Sequence, residues 1–386
     1  ASAQPINRDS YYGGGQDPNA YGNTTDLNWM AGSQYVYSFG KCIFMPADLT
    51  AGIEFNQDKL EDNMWGYHRT VDQKVNIGSA FFQNEWKNEH WGFLIGGRLD
   101  KHNLIDHVIF SPRANLRYNP TENINLRFSY SSGFRAPQAF DEDLHVENVG
   151  GNVAMVELAD NLKEERSQSL SASADIYHRF GAFQVNFLVE GFYTKLSDVF
   201  ALTDGEVVDG ILTRTRYNAP GARVMGLTLE GKMAYLTKFQ VQAGVTLQQS
   251  HYSEPHVWNK EAPAVKKMMR TPNTYGYFTA TYTPIKPLSI ALSGTYTGSM
   301  LVPHEPVPGF LEKPITVNTK DFFDIGLKAA YDFKLYKSMN LQVNAGVQNI
   351  FNAYQNDFDK GADRDSGYIY GPSLPRSFFA GVKISY

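Results

Sequence analysis

The stretch PSLPRSFFAGVKISY, residues 372–386, reads in steps of two. Phe378, Ala380, Val382, Ile384 and Tyr386 fall on one side. Ser377, Gly381, Lys383 and Ser385 fall on the other, with Phe379 the one misfit. This is the pattern of a strand with one oily face, and it runs to the aromatic Tyr386. Terminal residues are usually polar and frayed. In a closed up-and-down barrel the last strand is held by a neighbour on each side. Its oily face then meets lipid, and an aromatic at its end sits at the membrane–water interface.

The same period recurs along the chain. Phe323, Ile325, Leu327, Ala329, Tyr331 and Phe333 alternate with polar or small residues, as do Leu341, Val343, Ala345 and Val347. So do Ile124, Leu126, Phe128 and Tyr130, and Val108, Phe110, Ala114, Leu116 and Tyr118. About fifteen such segments are present, each near the ten residues that a tilted membrane strand needs. Short turns fall at 42–49, 87–90, 118–123, 178–182, 236–238, 284–287 and 335–339. Long polar links fall at 58–72, 137–163, 203–212, 253–269, 304–319 and 356–370, with a short connection at 103–106 in the same series. Short and long connections alternate, as the periplasmic turns and surface loops of an outer-membrane barrel do.

The bulk properties narrow the function classes. A formal net charge of −5 gives no reason to expect a nucleic-acid partner. The single cysteine, Cys42, forms no internal disulfide and no thiolate cluster. No apolar run reaches the roughly 18 residues of a transmembrane helix. H-E-x-x-H, G-x-S-x-G and P-loop motifs are absent, so no enzyme is expected.

Several motifs resemble one family, the TonB-dependent outer-membrane receptors. NLRFSYSSGFRAPQAFDEDL (125–144) resembles its "GFRAP" strand, which opens a large surface loop. ADNLKEERSQSLSASADIY (159–177) partly resembles the box that closes that loop, with Asn161 and Glu164 in place of the usual residues. NAPGARVMGLTLEG (218–231), VQNIFNAYQN (347–356) and GPSLPRSFFAGVKISY (371–386) resemble three later strands, in the family's order. SAFFQNEWK (79–87) and LIGGRLDKHN (94–103) resemble a further strand pair.

The resemblance implies a barrel of about 22 strands plugged by an amino-terminal domain, importing a scarce solute with energy delivered through TonB. The expected fold is therefore an all-β antiparallel transmembrane β-barrel, with about fifteen strands of that larger barrel in this chain. Strand parity makes the first segment, 25–40, descend to the periplasm. Residues 1–24 are then expected to be the tail of a surface loop and 25–386 the barrel portion, with about seven strands and the plug lying outside this sequence.

Alternation places Arg113, Arg117, Arg127, Glu190 and Glu230 on the polar face, where charge is tolerated if wet or paired. The resemblance implies that Glu230 meets the plug; the second acid of that pattern is replaced by Ser171. A solvated lumen wall is the plain alternative. Ligand-binding candidates in the surface loops are Arg135, Asp141, Asp143, His145, Trp258, Tyr368 and Tyr370. His145 lies where haem-transporting relatives carry a histidine; His68, His256 and His304 are also placed in surface loops. Trp258, Tyr368 and Tyr370, with Tyr252, suit either ring stacking or an aromatic girdle. Asp357, Asp359, Asp363 and Asp365 are dense enough for Ca2+, although Gly361 breaks the EF-hand spacing.

The expected function is TonB-dependent uptake of a metal chelate: a ferric siderophore, haem or cobalamin. The alternatives are an oligosaccharide or peptide importer, a passive porin, or a soluble carbohydrate-binding β-protein. Expected partners are the bilayer and lipopolysaccharide of a bacterial outer membrane, TonB, the chelate itself and a surface lipoprotein.

Overall fold

The computed structural model describes residues 1–11, 21–65, 69–139, 153–203, 205–208, 211–336, 338–361, 364–365 and 367–386. No α-helix occurs among them. One 17-stranded sheet dominates. In chain order it comprises β1 (Ser2–Tyr11), β2 (Tyr21–Cys42), β3 (Met45–Met64), β4 (Arg69–Lys87), β5 (Trp91–His102), β6 (Ile109–Thr121) and β7 (Ile124–Arg135). After the short loop strand β8 (Val153–Leu158), it continues with β9 (Glu165–Phe180) and β10 (Phe183–Ser197). Beyond the loop strands β11 (Val199–Leu202), β12 (Glu206–Val208) and β13 (Ile211–Ala219) come β14 (Ala222–Tyr235) and β15 (Phe239–His256). Next are β16 (Val265–Lys267), β17 (Thr274–Ile285) and β18 (Leu288–Thr297). The loop strands β19 (Leu301–His304) and β20 (Ile315–Asn318) precede β21 (Phe322–Tyr336), β22 (Met339–Gln348) and β23 (Ser377–Ser385).

Setting aside the three-residue β16, each strand of this sheet pairs antiparallel with the next along the chain. The segments expected from alternation are β2 to β7, β9, β10, β14, β15, β17, β18 and β21 to β23. Two expectations need correction. Residues 2–11, expected within the tail of a surface loop, form a strand: they pair with β2 from Ser2↔Met30 to Tyr11↔Tyr21. The link expected at 58–72 is mostly strand, with β3 and β4 paired from Asp58↔Val75 to Met64↔Arg69. Neither stretch has a continuous oily face: β1 is mostly polar on both sides, and one side of the β3–β4 end intersperses the buried Leu60, Met64 and Val75 with the buried Asp62. A backbone ladder in water needs no oily side, so alternation does not reveal it. β2 and β3, 22 and 20 residues long, exceed a bilayer crossing and stand beyond it at the loop end.

Directly opposed residues share a face, so register sorts the whole sheet. One face carries Ile53, Phe82, Ile95, Phe110, Phe128, Phe187, Leu327, Val343 and Val382, all exposed. The other carries Glu54, Arg113, Asn115, Arg127, Ser129, Ser173, Glu190 and Thr228. Among the described residues no second sheet covers the apolar face. The buried clusters are small and lie at the loop end: Val302, Phe322, Tyr368 and Tyr370; Ile105, Ile109 and Ala136; Val199, Ala219 and Ala222. A contiguous apolar belt of this size is far beyond what a water-soluble surface carries, and it suits hydrocarbon. This is the all-β transmembrane barrel wall expected from the sequence.

The misfit Phe379 has a local explanation. It faces the concave side directly opposite Gly346, and a Cβ at Gly346 would stand 2.5 Å from the Phe379 ring. The ring therefore occupies space that only a glycine leaves free. Loop strands form two further sheets. β8 runs parallel to β13, from Val153↔Ile211 to Leu158↔Arg216, joining the loop after β7 to the loop after β10. β19 and β20 form a hairpin between β18 and β21.

Candidate functional site

The concave wall holds the five lumen candidates on one face. Arg113 lies opposite Ser131, and Arg117 opposite Arg127. Arg127 lies opposite Ser173, Ser173 opposite Glu190, and Glu190 opposite Thr228, two residues before Glu230. Ser171, in the place of the second expected acid, shares the face. Two arginines directly opposed repel each other. Their hydrogen bonds are to neutral groups: Arg117 donates to the Asn88 carbonyl at 3.2 Å and Arg127 to Asn125 Oδ1 at 2.8 Å.

Glu230 is differently placed. Its Oε1 lies 2.8 Å from Lys232 Nζ, and its Oε2 accepts the Tyr277 hydroxyl. Gln242 donates to that hydroxyl at 2.7 Å. The Tyr277 ring lies over Gly244, where a Cβ would come within 2.8 Å of it. Beside this group, towards the short-turn end, a depression of about 320 Å³ is lined by Tyr177, Lys232, Gln240, Gln242 and Thr279. Glu230 thus has a local cation in Lys232, whereas Arg117 and Arg127 donate to neutral oxygens.

A second charged knot was not anticipated. Arg98 Nη2 donates to Glu54 at 2.7 Å and to Ser79 Oγ at 2.7 Å, and Arg98 Nε donates to Asp100 at 2.7 Å. The Ser79 hydroxyl donates to Asp100 at 2.6 Å. The signal for it lies in GGRLD (96–100): Arg98 and Asp100, two apart on one strand, share a face, and register brings Ser79 opposite Asp100 and Glu54 opposite Ser79.

At the loop end, the described residues of 349–376 fold over β19 and β20. Tyr368 and Tyr370 are buried, packed with Val302 and Phe322 rather than standing in a girdle. Their hydroxyls donate to Asp357 at 3.1 Å and 2.6 Å. Burial pushes both phenols well above their ordinary value, and the Asp357 carboxylate adds to this. Burial would raise Asp357, but the hydroxyls of Tyr370 and Tyr368 outweigh it and hold the carboxyl below its ordinary value.

His304 is buried, with its ring stacked on Tyr368 at 3.8 Å and 4°. Its Nε2 lies 2.9 Å from Asp359 Oδ2, which also accepts the Asp365 N–H at 3.1 Å. Asp365 accepts the N–H groups of Glu305 at 2.9 Å and Gly367 at 2.8 Å. Asp357, Asp359 and Asp365 therefore satisfy protein donors, each in its own place. No group of three or more His, Cys, Asp or Glu residues gathers for a metal ion among the described residues. Asp363, like Asp141, Asp143, His145 and His68, lies outside the described residues.

Neighbouring loops are stitched to this one. Arg270 donates to the carbonyls of Ile369, at 3.0 Å, and Gly367. Asn259 donates to Glu305 at 2.9 Å, and Arg214 lies 3.4 Å from the same carboxylate. A cleft of about 600 Å³ opens in the last loop between Tyr354, Phe358, Arg364, Tyr370 and Pro375. The other candidates lie apart from it. Arg135 stands over the Phe200 ring at 5.6 Å, with Arg216 over the same ring at 5.9 Å. Trp258 is half-buried, and its indole N–H has no hydrogen-bond partner among the described residues.

The family model described as TonB dependent receptor-like, beta-barrel matches residues 2–350. No curated protein matches. Among solved structures, a mutant of the ferric enterobactin receptor PfeA from Pseudomonas aeruginosa superposes with a TM-score of 0.71 at 18% identity, covering 98% of this chain and 58% of that one. The siderophore receptor PirA from Pseudomonas aeruginosa gives 0.64 at 15% identity, covering 94% and 57%. The FrpB iron transporter from Neisseria meningitidis gives 0.66 at 15% identity, covering 98% and 58%. The chain thus spans a little over half the length of these structures. With its antiparallel wall, lipid-facing belt and charged concave face, the chain belongs to the TonB-dependent receptor-like β-barrel family.

Proposed function

We propose that this chain forms barrel wall of a bacterial outer-membrane receptor that takes up a scarce metal chelate, driven through TonB. The observation that carries this reading is the two-faced wall. Its outer face suits lipid, while its inner face keeps Arg113, Arg117, Arg127 and Glu190 exposed or half-buried along adjacent strands. Opposed arginines on a lumen wall call for an anionic or hydrogen-bonding partner. A plug domain seated against the wall supplies one, and a passing anionic chelate supplies another. The stitched loops at the other end give selection a fixed frame. In this reading the protein has no catalytic role; the chelate is cargo.

A ferric siderophore is the favoured cargo. The support is the names of the similar structures, which are receptors for ferric enterobactin and siderophores and an iron transporter. Of the surface-loop histidines, His304 is committed to Asp359 and Tyr368 and is not free to ligate haem. The test is uptake of radiolabelled ferric siderophores, haem and cobalamin by a host lacking its own receptors and expressing the full gene. Saturable uptake of one chelate, lost without TonB, is expected. Uptake that persists without TonB, or open ion conductance in planar bilayers, overturns the reading in favour of a passive pore. Uptake confined to oligosaccharides or peptides overturns the cargo class alone.

A further inference from the structure

His102 closes β5 on the concave face, opposite Ile77, and is fully buried. β5 has 12 residues and a tilted crossing takes about 9–11, so the ring stands at the loop end, clear of hydrocarbon. It sits between two surface segments. In the turn after β5, the Leu104 N–H donates to Nδ1 at 3.0 Å, and the Ile105 N–H donates to the His102 carbonyl at 3.2 Å. From the chain after β7, Gln138 Oε1 lies 3.3 Å from Nε2. Ile105, Ile109 and Ala136 pack together across the same junction. Ala139 adds a tie that cannot titrate: its N–H donates to Gln73 Oε1 at 2.7 Å, and its carbonyl accepts from Gln73 Nε2 at 3.2 Å.

Only one form of the ring fits these partners. A donor at Nδ1 needs the lone pair there, which leaves the proton on Nε2, facing the Gln138 oxygen. The imidazole is therefore neutral. A second proton has to enter at Nδ1, where it meets the Leu104 N–H, and it leaves a buried charge. No carboxylate contacts the ring among the described residues. Asp100, on the same face of β5, is taken by Arg98 and Ser79. Lys101 faces the other way and donates to the Ile105 and Asp106 carbonyls. Asp58 of β3 lies opposite Val75 of β4, His107 beside Glu164, and Arg135 over the Phe200 ring. Burial holds the His102 imidazole below its ordinary value, and Gln138 offsets this only in part. We propose that His102 is a proton-operated latch: neutral, it joins the turn at 103–106 to residues 136–139, and protonated, it releases them. Residues 136–139 lead from Arg135 into the surface loop after β7, so acid loosens that side of the loop end. Once released, the ring titrates near about 6.5, so the latch loses stability as pH falls below that value towards the lower folded one. The inference stands on these loop contacts and not on the cargo proposed above.

Hydrogen exchange of the full receptor in detergent tests this, read at about pH 7.5 and about pH 5.5 and corrected for intrinsic rates. The amides of Leu104, Ile105, Ala136, Gln138 and Ala139 should be several-fold less protected at the lower pH. Those of β21 and β22 should not change. His102→Asn cannot titrate, yet its side-chain oxygen can still accept the N–H two residues on. That variant should keep most of the protection at the higher pH and lose the pH response. Equal protection of the unaltered protein at both pH values, or an undiminished response in His102→Asn, overturns the proposal. A response at Leu104 and Ile105 with residues 136–139 unmoved also overturns it, because the ring then joins nothing. Should His102→Asn fail to fold, judged by heat-modifiable gel mobility, His107→Asn decides. The response should survive that substitution, and its loss would assign the acid sensitivity to His107 and defeat the latch.

Discussion

At the scale of single residues, the concave wall depends on who lies under whom. Gly244 lets the Tyr277 ring lie flat and reach Glu230. Gly244→Ala should lift the ring, separate the hydroxyl from Glu230 and leave the carboxylate to Lys232 alone. A charge-assisted hydrogen bond is worth about 1.5–3 kcal/mol, so a stability loss of that order is expected from unfolding in detergent. Tyr277→Phe should cost about as much, and the double variant little more, because both remove one contact. Additive losses would mean that the ring and the carboxylate are not coupled. Asp357 gives a pH dependence. Its carboxyl is held below its ordinary value in the folded loop, so it contributes stability above its unfolded pKa of about 3.9. That contribution falls away as pH drops through the lower folded value. Proteolysis of the last loop should therefore accelerate below about pH 4, and Asp357→Asn should flatten the profile. An unchanged profile in that variant would assign the acid sensitivity elsewhere.

At the scale of elements, a strand here is defined by two solvents. Val343 of β22 faces the belt and its neighbour Asn344 faces the lumen. Arginine in mid-strand costs about 2–4 kcal/mol on the lipid side and little on the wet side. Val343→Arg should therefore reduce the folded, heat-modifiable fraction in vesicles, and Asn344→Arg should not; equal effects would contradict the assigned faces. The same rule explains what was legible in the sequence. Where one face meets lipid, as along Phe323 to Phe333, alternation reveals the strand. Where neither face meets lipid, as in β1 and the upper parts of β3 and β4, the ladder forms without a regular apolar alternation and those residues resemble loop. Charged positions on the wall were legible through the same period. Their partners were not, because Arg98 meets Glu54 44 residues away through register across three strands. The pairing of His304 with Asp359, 55 residues apart, lies wholly in loops, where no period exists to align two segments.

At the scale of the molecule, the barrel wall is one layer thick and keeps its buried apolar clusters at the loop end. There, separate surface loops share donors and acceptors: His304 with Asp359, the Glu305 N–H with Asp365, and Arg270 with the carbonyls of Gly367 and Ile369. Groups buried in common open in common, so this end should behave as one cooperative unit, separate from the strands below. Hydrogen exchange in detergent checks this. His304→Gln removes the stack on Tyr368 and the imidazole hydrogen bond with the Asp359 carboxylate. With a loss of about 1.5–3 kcal/mol, exchange should accelerate about 10- to 150-fold in residues 301–318 and 349–370 together. Amides of β21 and β22 should stay protected, because their ladder does not use these contacts. Acceleration confined to 301–318 would show that the two loops open independently. In that case the cleft beside Tyr370 would have no fixed frame, and selection of cargo would have to occur on the concave wall.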